Sequence, residues 1–318
     1  MGAGKVLVIL NPVAGHGRSG KLRPRVEERL KAHRVDFEIV ETDRRGHAVD
    51  LAAAAATGGF GMVVAMGGDG TLSEVLHGLI TSQGSPGSPH LPPGLKVAVI
   101  PSGTGNDFLS GSNLLTNWED AVGSLVDPVT RQVDVLQLTD ASGFRRYVAN
   151  SVGIGYDAYV VKRVAELGTQ KIGSLSYMVE ALRGLLYFNP APARIASGNG
   201  PGKMYDRLWL FAVTNSEKFG GGMRVSPGAR IDDGVLNYAF LHGVPRRSLV
   251  SLIFLVRSGK HAGKPGVVMD TADCVTIDVP EGFPCHVDGD TAHVKYPVSI
   301  RVLPGILPFV VARAPAAR

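Results

Sequence analysis

Three apolar runs of strand length in the first third of the chain each end in a glycine-rich turn. KVLVIL (5–10) leads into NPVAGHGRSG, GMVVAM (61–66) into GGDG, and KVAVIP (96–101) into SGTGNDF. Short runs this apolar are buried strands. DFEIVET (36–42) supplies one more. Between them lie stretches of helical period: residues 21–33, the Ala-rich HAVDLAAAAAT (47–57), and residues 72–80. In the last of these, Leu72, Val75, Leu76, Leu79 and Ile80 repeat at i, i+3, i+4, i+7 and i+8 and make one buried face. The alternation predicts an α/β unit with a mostly parallel, doubly wound sheet. Ligands bind such sheets at the C-terminal ends of the strands, where all three turns would lie. TSQGSPGSPHLPPG (81–94) reads as a surface loop.

The character changes after about residue 135. QVDVLQLT, RRYVANSV, YDRLWLFAVTNS, VLNYAFLHGV, CVTIDVP and VSIRVLPG read as strands with few helices between them. Only 156–188, broken near Gly168 to Gly173, and 245–260 have helical character. A second, β-rich domain is expected, a sandwich or a curled sheet, facing the first across a cleft. SLSYMVEALRGLLYF (174–188) places Leu175, Met178, Val179, Leu182, Leu185 and Leu186 at helical spacing. They read as core packing, as a wall for an acyl chain or as a membrane-docking face, with Lys162, Arg163, Lys171 and Arg183 available to anionic lipid.

Length and composition suit two globular domains: 318 residues, 44% hydrophobic and 19% charged. No run of eighteen apolar residues predicts a transmembrane helix. The N-terminus lacks the pattern of a signal peptide, and two cysteines in so long a chain read as reduced, so a cytoplasmic protein is expected. The formal charge of +5 suits anionic lipid headgroups or polyphosphates as well as plain solubility. No zinc-finger spacing, RNP-type motif or long basic tract points to nucleic acid.

Asp69 is the residue that the turns alone leave unexplained. Gly67, Gly68 and Gly70 allow the backbone close approach to a ligand, and a helix starting at Thr71 aims its first N–H groups at an anion. Thr71 and Glu74 also have the spacing of a capping box. A carboxylate in such a turn repels phosphate unless a cation stands between them, which points to Mg²⁺. MGAGK lacks the spacing and the Ser/Thr of a P-loop. GIGYDA (153–158) fits a dinucleotide fingerprint, but with no acidic residue ending a following strand it reads as a tight strand-to-helix turn.

NPVAG (11–15), GGDGTLSEV (67–75), PSGTGNDF (101–108), TNS (214–216), PGARIDDG (227–234) and VDGD (287–290) occur in this order. Together they resemble the diacylglycerol kinase catalytic domain family, which includes bacterial diacylglycerol and lipid kinases and sphingosine kinases. The resemblance implies a phosphofructokinase-like nucleotide domain at 1–136, with 303–318 packing back on it, and a β-sandwich lipid domain at 137–302. It implies transfer of the γ-phosphoryl group of ATP to a lipid hydroxyl, most simply diacylglycerol to phosphatidic acid, by a protein peripherally associated with the membrane. By match to the family's motifs, the nucleotide meets Asn11, Pro12, Val13, Ala14, Gly15, Thr42, Gly68, Asp69, Gly70, Thr71, Leu72, Ser73, Glu74 and Thr104. Asp69 and Asp107 fall in an acidic network that engages Mg²⁺–ATP, Asp134 falls where the family has another functional Asp, and Asp290 falls at the general base. A second, structural Mg²⁺ maps to Asp233 with the carbonyls of Arg230 and Val235.

Bacterial relatives of this pattern commonly have Glu where this chain has Asp290, and Asp is shorter by about 1.5 Å. The base is then Asp290, directly or through water, or else Asp69 or Asp134. Asp290 also reads as a hairpin-turn residue, since Asp-Gly-Asp is turn chemistry. Other acceptors fit the same motifs: a sphingoid base or another lipid, then NAD as in NAD kinases. A catalytically inactive lipid-binding protein is the non-enzyme alternative. The acceptor lipid and the oligomeric state, a homodimer among the options, are not written in a readable motif.

Overall fold

A computed structural model describes residues 4–83, 89–167, 174–198 and 200–313, without the side chains of 174–178. The expected helix break at Gly168 to Gly173, Lys171, and the side chains of Leu175 and Met178 lie outside that description. The chain divides into two compact units, one of Met1–Asp134 with Gly305–Arg318, the other of Val135–Pro304.

In the first unit β1 (Val6–Leu10), α1 (Arg18–Ala32), β2 (Phe37–Glu41), α2 (His47–Ala55), β3 (Met62–Gly67), α3 (Asp69–Gln83) and β4 (Lys96–Pro101) alternate. Short helices α4 (Asp107–Gly111) and α5 (Trp118–Ser124) follow, and β5 (Val129–Thr139) leaves the unit. The parallel sheet runs β2-β1-β3-β4, with Val6 opposite both Phe37 and Met62. Phe309, from the last strand of the chain, adds a parallel neighbour opposite Val97 of β4. Strands β1 and β3 are buried at every residue, as central parallel strands covered on both faces must be. On α1, Leu22, Val26 and Leu30 form the stripe that packs on them. The strand order reverses between β1 and β3, and such a switch point opens a crevice at the strands' C-terminal ends.

The second unit adds β6 (Arg145–Val148), β7 (Ser151–Gly155), α6 (Tyr156–Glu166), α7 (Ser174–Tyr187), β8 (Ala191–Ser197) and β9 (Lys203–Thr214). It continues through β10 (Leu236–His242), α8 (Arg246–Val256), β11 (Val267–Ala272), β12 (Cys274–Asp278), β13 (Cys285–Val287), β14 (Asp290–Ala292) and the start of β15 (Val298–Val311), whose residues from Gly305 on belong to the first unit. Long β9 belongs to two layers. Its second half lies between β7 and β10, in a layer running β14-β13-β7-β9-β10-β11. Its first half pairs with β8, in a layer running β9-β8-β12-β15-β5-β6. Phe211, Val213 and Phe240 from one layer share a core with Ile195, Val275 and Ile300 from the other. This is a β-sandwich whose corner is a strand that changes sheets. GIGYDA forms the turn from β7 into α6, with Gly155 at φ 99°. Among the described residues no helix is long and apolar enough to cross a membrane, and both cysteines are free thiols.

Candidate active site

The three glycine-rich turns of the first unit meet at the N-terminus of α3. Asn11 ends β1; its N–H donates to the Met66 carbonyl (3.0 Å) and its Nδ2 to Thr71 Oγ1 (3.3 Å). Val13 and Ala14 fold back on Asn11 through their N–H groups, leaving Val13 exposed. Gly15 has φ 60°, and a Cβ there would stand 2.2 Å from the Ser102 carbonyl oxygen, so only glycine lets the first turn lie on the third. The second and third turns touch as closely: a Cβ on Gly103 would come within 2.5 Å of Gly68 Cα. Both Ser102 and Gly103 donate their N–H to the Gly67 carbonyl. The result is a wall of backbone beside the first turn of α3, whose N–H groups have no helical carbonyl to accept them.

Asp69 links the turns. Its carboxylate accepts the backbone N–H of Asp107 (2.9 Å) and of Phe108 (3.0 Å). It therefore caps α4 from a distant loop, while Asn106, the residue at the cap position, has φ 49° and makes no side-chain cap bond. The carboxylate that the turns alone leave unexplained thus has a structural role as well. The sequence hides it because the partner amides lie nearly forty residues away. Asp107 is itself buried. Asp69 Oδ2 and Asp107 Oδ2 both approach the exposed Gly105, at 3.5 and 3.8 Å from where its Cβ would stand.

A capping box at Thr71 and Glu74 is not what forms. Helix α3 starts at Asp69, and Glu74 Oε1 accepts the N–H of Gly46 (2.9 Å), the residue that opens α2. Leu72 and Ser73 are buried, and the Leu72 N–H donates to the Gly68 carbonyl (3.1 Å). Thr42 stands at the end of β2, its N–H on the Leu10 carbonyl, and Thr104 is exposed at the tip of the third turn. Asp134 is buried and accepts the Gly305 N–H (2.7 Å), fastening the returning strand to the unit.

The remaining predicted residues belong to the second unit. The turn role read for Asp290 belongs to its neighbours. Asp288 (φ 46°) and Gly289 (φ 83°) are the two-residue, type I′ loop between β13 and β14. Asp290 is the first residue of β14, half-buried, opposite Val287. The Asp288 carboxylate is buried and accepts the N–H groups of Ala149, Asn150 and Ser151 (2.9, 3.0 and 2.8 Å). His286 Nε2 lies 3.1 Å from Asp157 Oδ2, and its Nδ1 accepts the Gly289 N–H (3.4 Å). Sequence reasoning missed Asp288, His286 and Asp157. Asp-Gly announces a turn, but nothing local announces the amides and the α6 carboxylate that hold it. Asp233 is exposed, with Oδ1 accepting the Val235 N–H (3.3 Å), while exposed Arg230 pairs with Asp232.

Among the described residues no three His, Cys, Asp or Glu side chains cluster closely enough to hold a metal ion by themselves. Mg²⁺ asks for less: one or two carboxylates, water and substrate phosphate. Asp69 and Asp107, both close to where a Gly105 Cβ would stand, fit that demand.

Two family models match the chain: the diacylglycerol kinase catalytic domain over residues 5–138, and the YegS C-terminal NAD kinase beta sandwich-like domain over 150–311. A diacylglycerol kinase of Mycobacterium tuberculosis is 29% identical over 96% of this chain and 94% of its own length. A protein of Xanthomonas oryzae named "Probable lipid kinase YegS-like" is 30% identical over 73% of both chains. The crystal structure of a diacylglycerol kinase from Bacillus anthracis superposes with a TM-score of 0.70 at 21% identity, covering 100% of this chain and 99% of that one, which speaks for the fold. The chain belongs to the diacylglycerol kinase catalytic domain family and is a lipid kinase.

Proposed function

We propose that this kinase transfers the γ-phosphoryl group of ATP, taken up with Mg²⁺, to the free hydroxyl of diacylglycerol and releases phosphatidic acid. The observation that carries this reading is the meeting of three glycine-rich turns at the start of α3, tied by Asp69 to α4. Phosphoryl transfer requires positioning and charge neutralisation more than covalent help. Asn11 to Gly15, Thr42, Gly68 to Glu74 and Thr104 hold the nucleotide in this reading.

Asp69 and Asp107 are the residues to hold Mg²⁺, which when bound neutralises charge between carboxylate and phosphate. Asp134, whose carboxylate is buried against Gly305, supports the unit rather than taking a proton. Asp69 is likewise engaged by two amides and better suited to a cation than to a proton. By its match to the family's motif, Asp290 is the base in this reading: it receives the hydroxyl proton as the bond to phosphorus forms and ADP leaves. A second ion at Asp233, with the carbonyls of Arg230 and Val235, has a structural role in this reading. The acceptor is met at the cytoplasmic face of a membrane, by a peripheral protein.

The test is a panel of acceptors with the purified full chain, Mg²⁺ and ATP, read by mass spectrometry. Diacylglycerol should gain a phosphate fastest. Faster phosphorylation of a sphingoid base or of NAD would replace the substrate assignment, and no phosphorylated product from a folded protein would end it.

A further inference from the structure

Helix α8 reads RRSLVSLIFLV, yet Leu249 alone of its residues is buried. Val250 and Phe254 are 42% and 56% exposed and stand four apart on one face. Arg247 and Arg257 continue the same stripe three residues to either side. Helix α7 is inverted in the same way. Val179, Leu182, Leu186 and Tyr187 face outward, Leu186 at 71%, while Leu185 and Phe188 pack inward beside Leu249 of α8. The Arg246 guanidinium fastens the two helices. It donates to the carbonyls of Leu185 (2.6 Å) and Leu186 (2.7 Å) and to Asn189 Oδ1 (2.8 Å), at the end of α7.

The charge of α8 and the segments beside it has one sign. From Gly243 to Gly266 the chain holds five Lys and Arg and no Asp or Glu. On α7, Arg183 is exposed within the apolar stripe and its partner Glu180 is buried. A water-facing helix normally turns its polar residues outward, and an exposed apolar patch rimmed by charge marks an interaction surface. The apolar stripes call for hydrocarbon and the cations for anions, and an anionic lipid leaflet offers both within a few ångströms.

We propose that the α7–α8 face docks on anionic lipid bilayers. Leu186, Tyr187, Val250 and Phe254 enter the boundary between headgroups and acyl chains, and Arg247 and Arg257 meet the lipid phosphates. The purpose of this docking, delivery to a membrane acceptor, rests on the diacylglycerol reading above; its physical basis does not.

The test is cosedimentation of the full chain, without nucleotide or diacylglycerol, with vesicles of phosphatidylcholine alone or mixed with phosphatidylglycerol. Wild-type protein should prefer the anionic vesicles and release from them at high salt. Arg247→Gln/Arg257→Gln should weaken binding roughly five-fold per cation removed. Val250→Ser/Phe254→Ser should weaken it about ten-fold or more. These residues are exposed, and circular dichroism of each variant checks that it folds. Wild-type binding by both folded variants, or equal binding to both vesicle types, would overturn the proposal. So would loss of a solution dimer in the variants with vesicle binding intact, which would make the face a subunit contact. Vesicle binding lost in the variants, with wild-type rates kept on a monomeric short-chain diacylglycerol, supports it. A protein that docks as described but phosphorylates no lipid counts against the kinase substrate alone.

Discussion

Asp69 illustrates how a single side chain reads differently in one dimension and in three. In sequence it is a charge among glycines. In the fold both of its oxygens take backbone amides, from Asp107 and Phe108, and this brings the second and third turns together. Charge-assisted bonds of this kind contribute about 1.5–3 kcal/mol. An Asp69→Asn variant therefore changes loop geometry as well as charge, and its loss of turnover alone does not separate cation binding from scaffolding. Gly15 gives a cleaner test of the loops. Its positive φ and its contact with the Ser102 carbonyl leave no room for a Cβ. Gly15→Ala should lower stability by roughly 2 kcal/mol or more and weaken ATP binding, as read by denaturant unfolding and calorimetric titration. Wild-type values for both would mean that the turns do not need this closeness.

The elements of the first unit were largely legible because each apolar run is short, fully buried and ends in glycine. Helix α3 was mis-started by two residues because a capping box at Thr71 looks self-sufficient; the partner of Glu74 is Gly46, in another loop. Helix α4 has no local signal, since its cap comes from Asp69. In the second unit β8, β11, β13 and β14 were not read, being short or partly polar strands whose burial depends on neighbours brought from elsewhere.

The turn after α8 offers a test at this scale. His261 is buried, with Nε2 on the Val225 carbonyl and no partner for Nδ1. Burial pushes its pKa below the ordinary histidine value, against the opposing bond to Val225. Above about pH 6.5 both folded and unfolded forms are neutral and the contribution is intact. As pH falls the unfolded chain takes the proton first, so stability is lost toward the lower folded pKa. Between about pH 7 and about pH 5.5 the urea midpoint of wild type should drop more than that of His261→Phe. Equal drops would assign the acid sensitivity to other groups.

At the scale of the molecule, the sequence was most informative about motif order and least informative about what holds each motif in place. The family reading rests on six short motifs spread from Asn11 to Asp290. The architecture around them follows from buried parallel strands in one unit and from β9, shared by two layers, in the other. What the motifs do not show is the buried support: the amides of Ala149, Asn150 and Ser151 on the loop's Asp288, and Asp157 against His286. These contacts fix the hairpin that begins at β13 and carries Asp290, so the carboxylate assigned as base is presented by a rigid turn.

The most direct test of that assignment compares phosphatidic acid formation from diacylglycerol and Mg²⁺–ATP by wild type and Asp290→Asn, with ATP affinity measured alongside. The account predicts a wild-type rate that falls at least about 100-fold in the variant while ATP binding is unchanged. A variant that keeps the wild-type rate, or a folded wild-type protein that makes no phosphatidic acid, would contradict it.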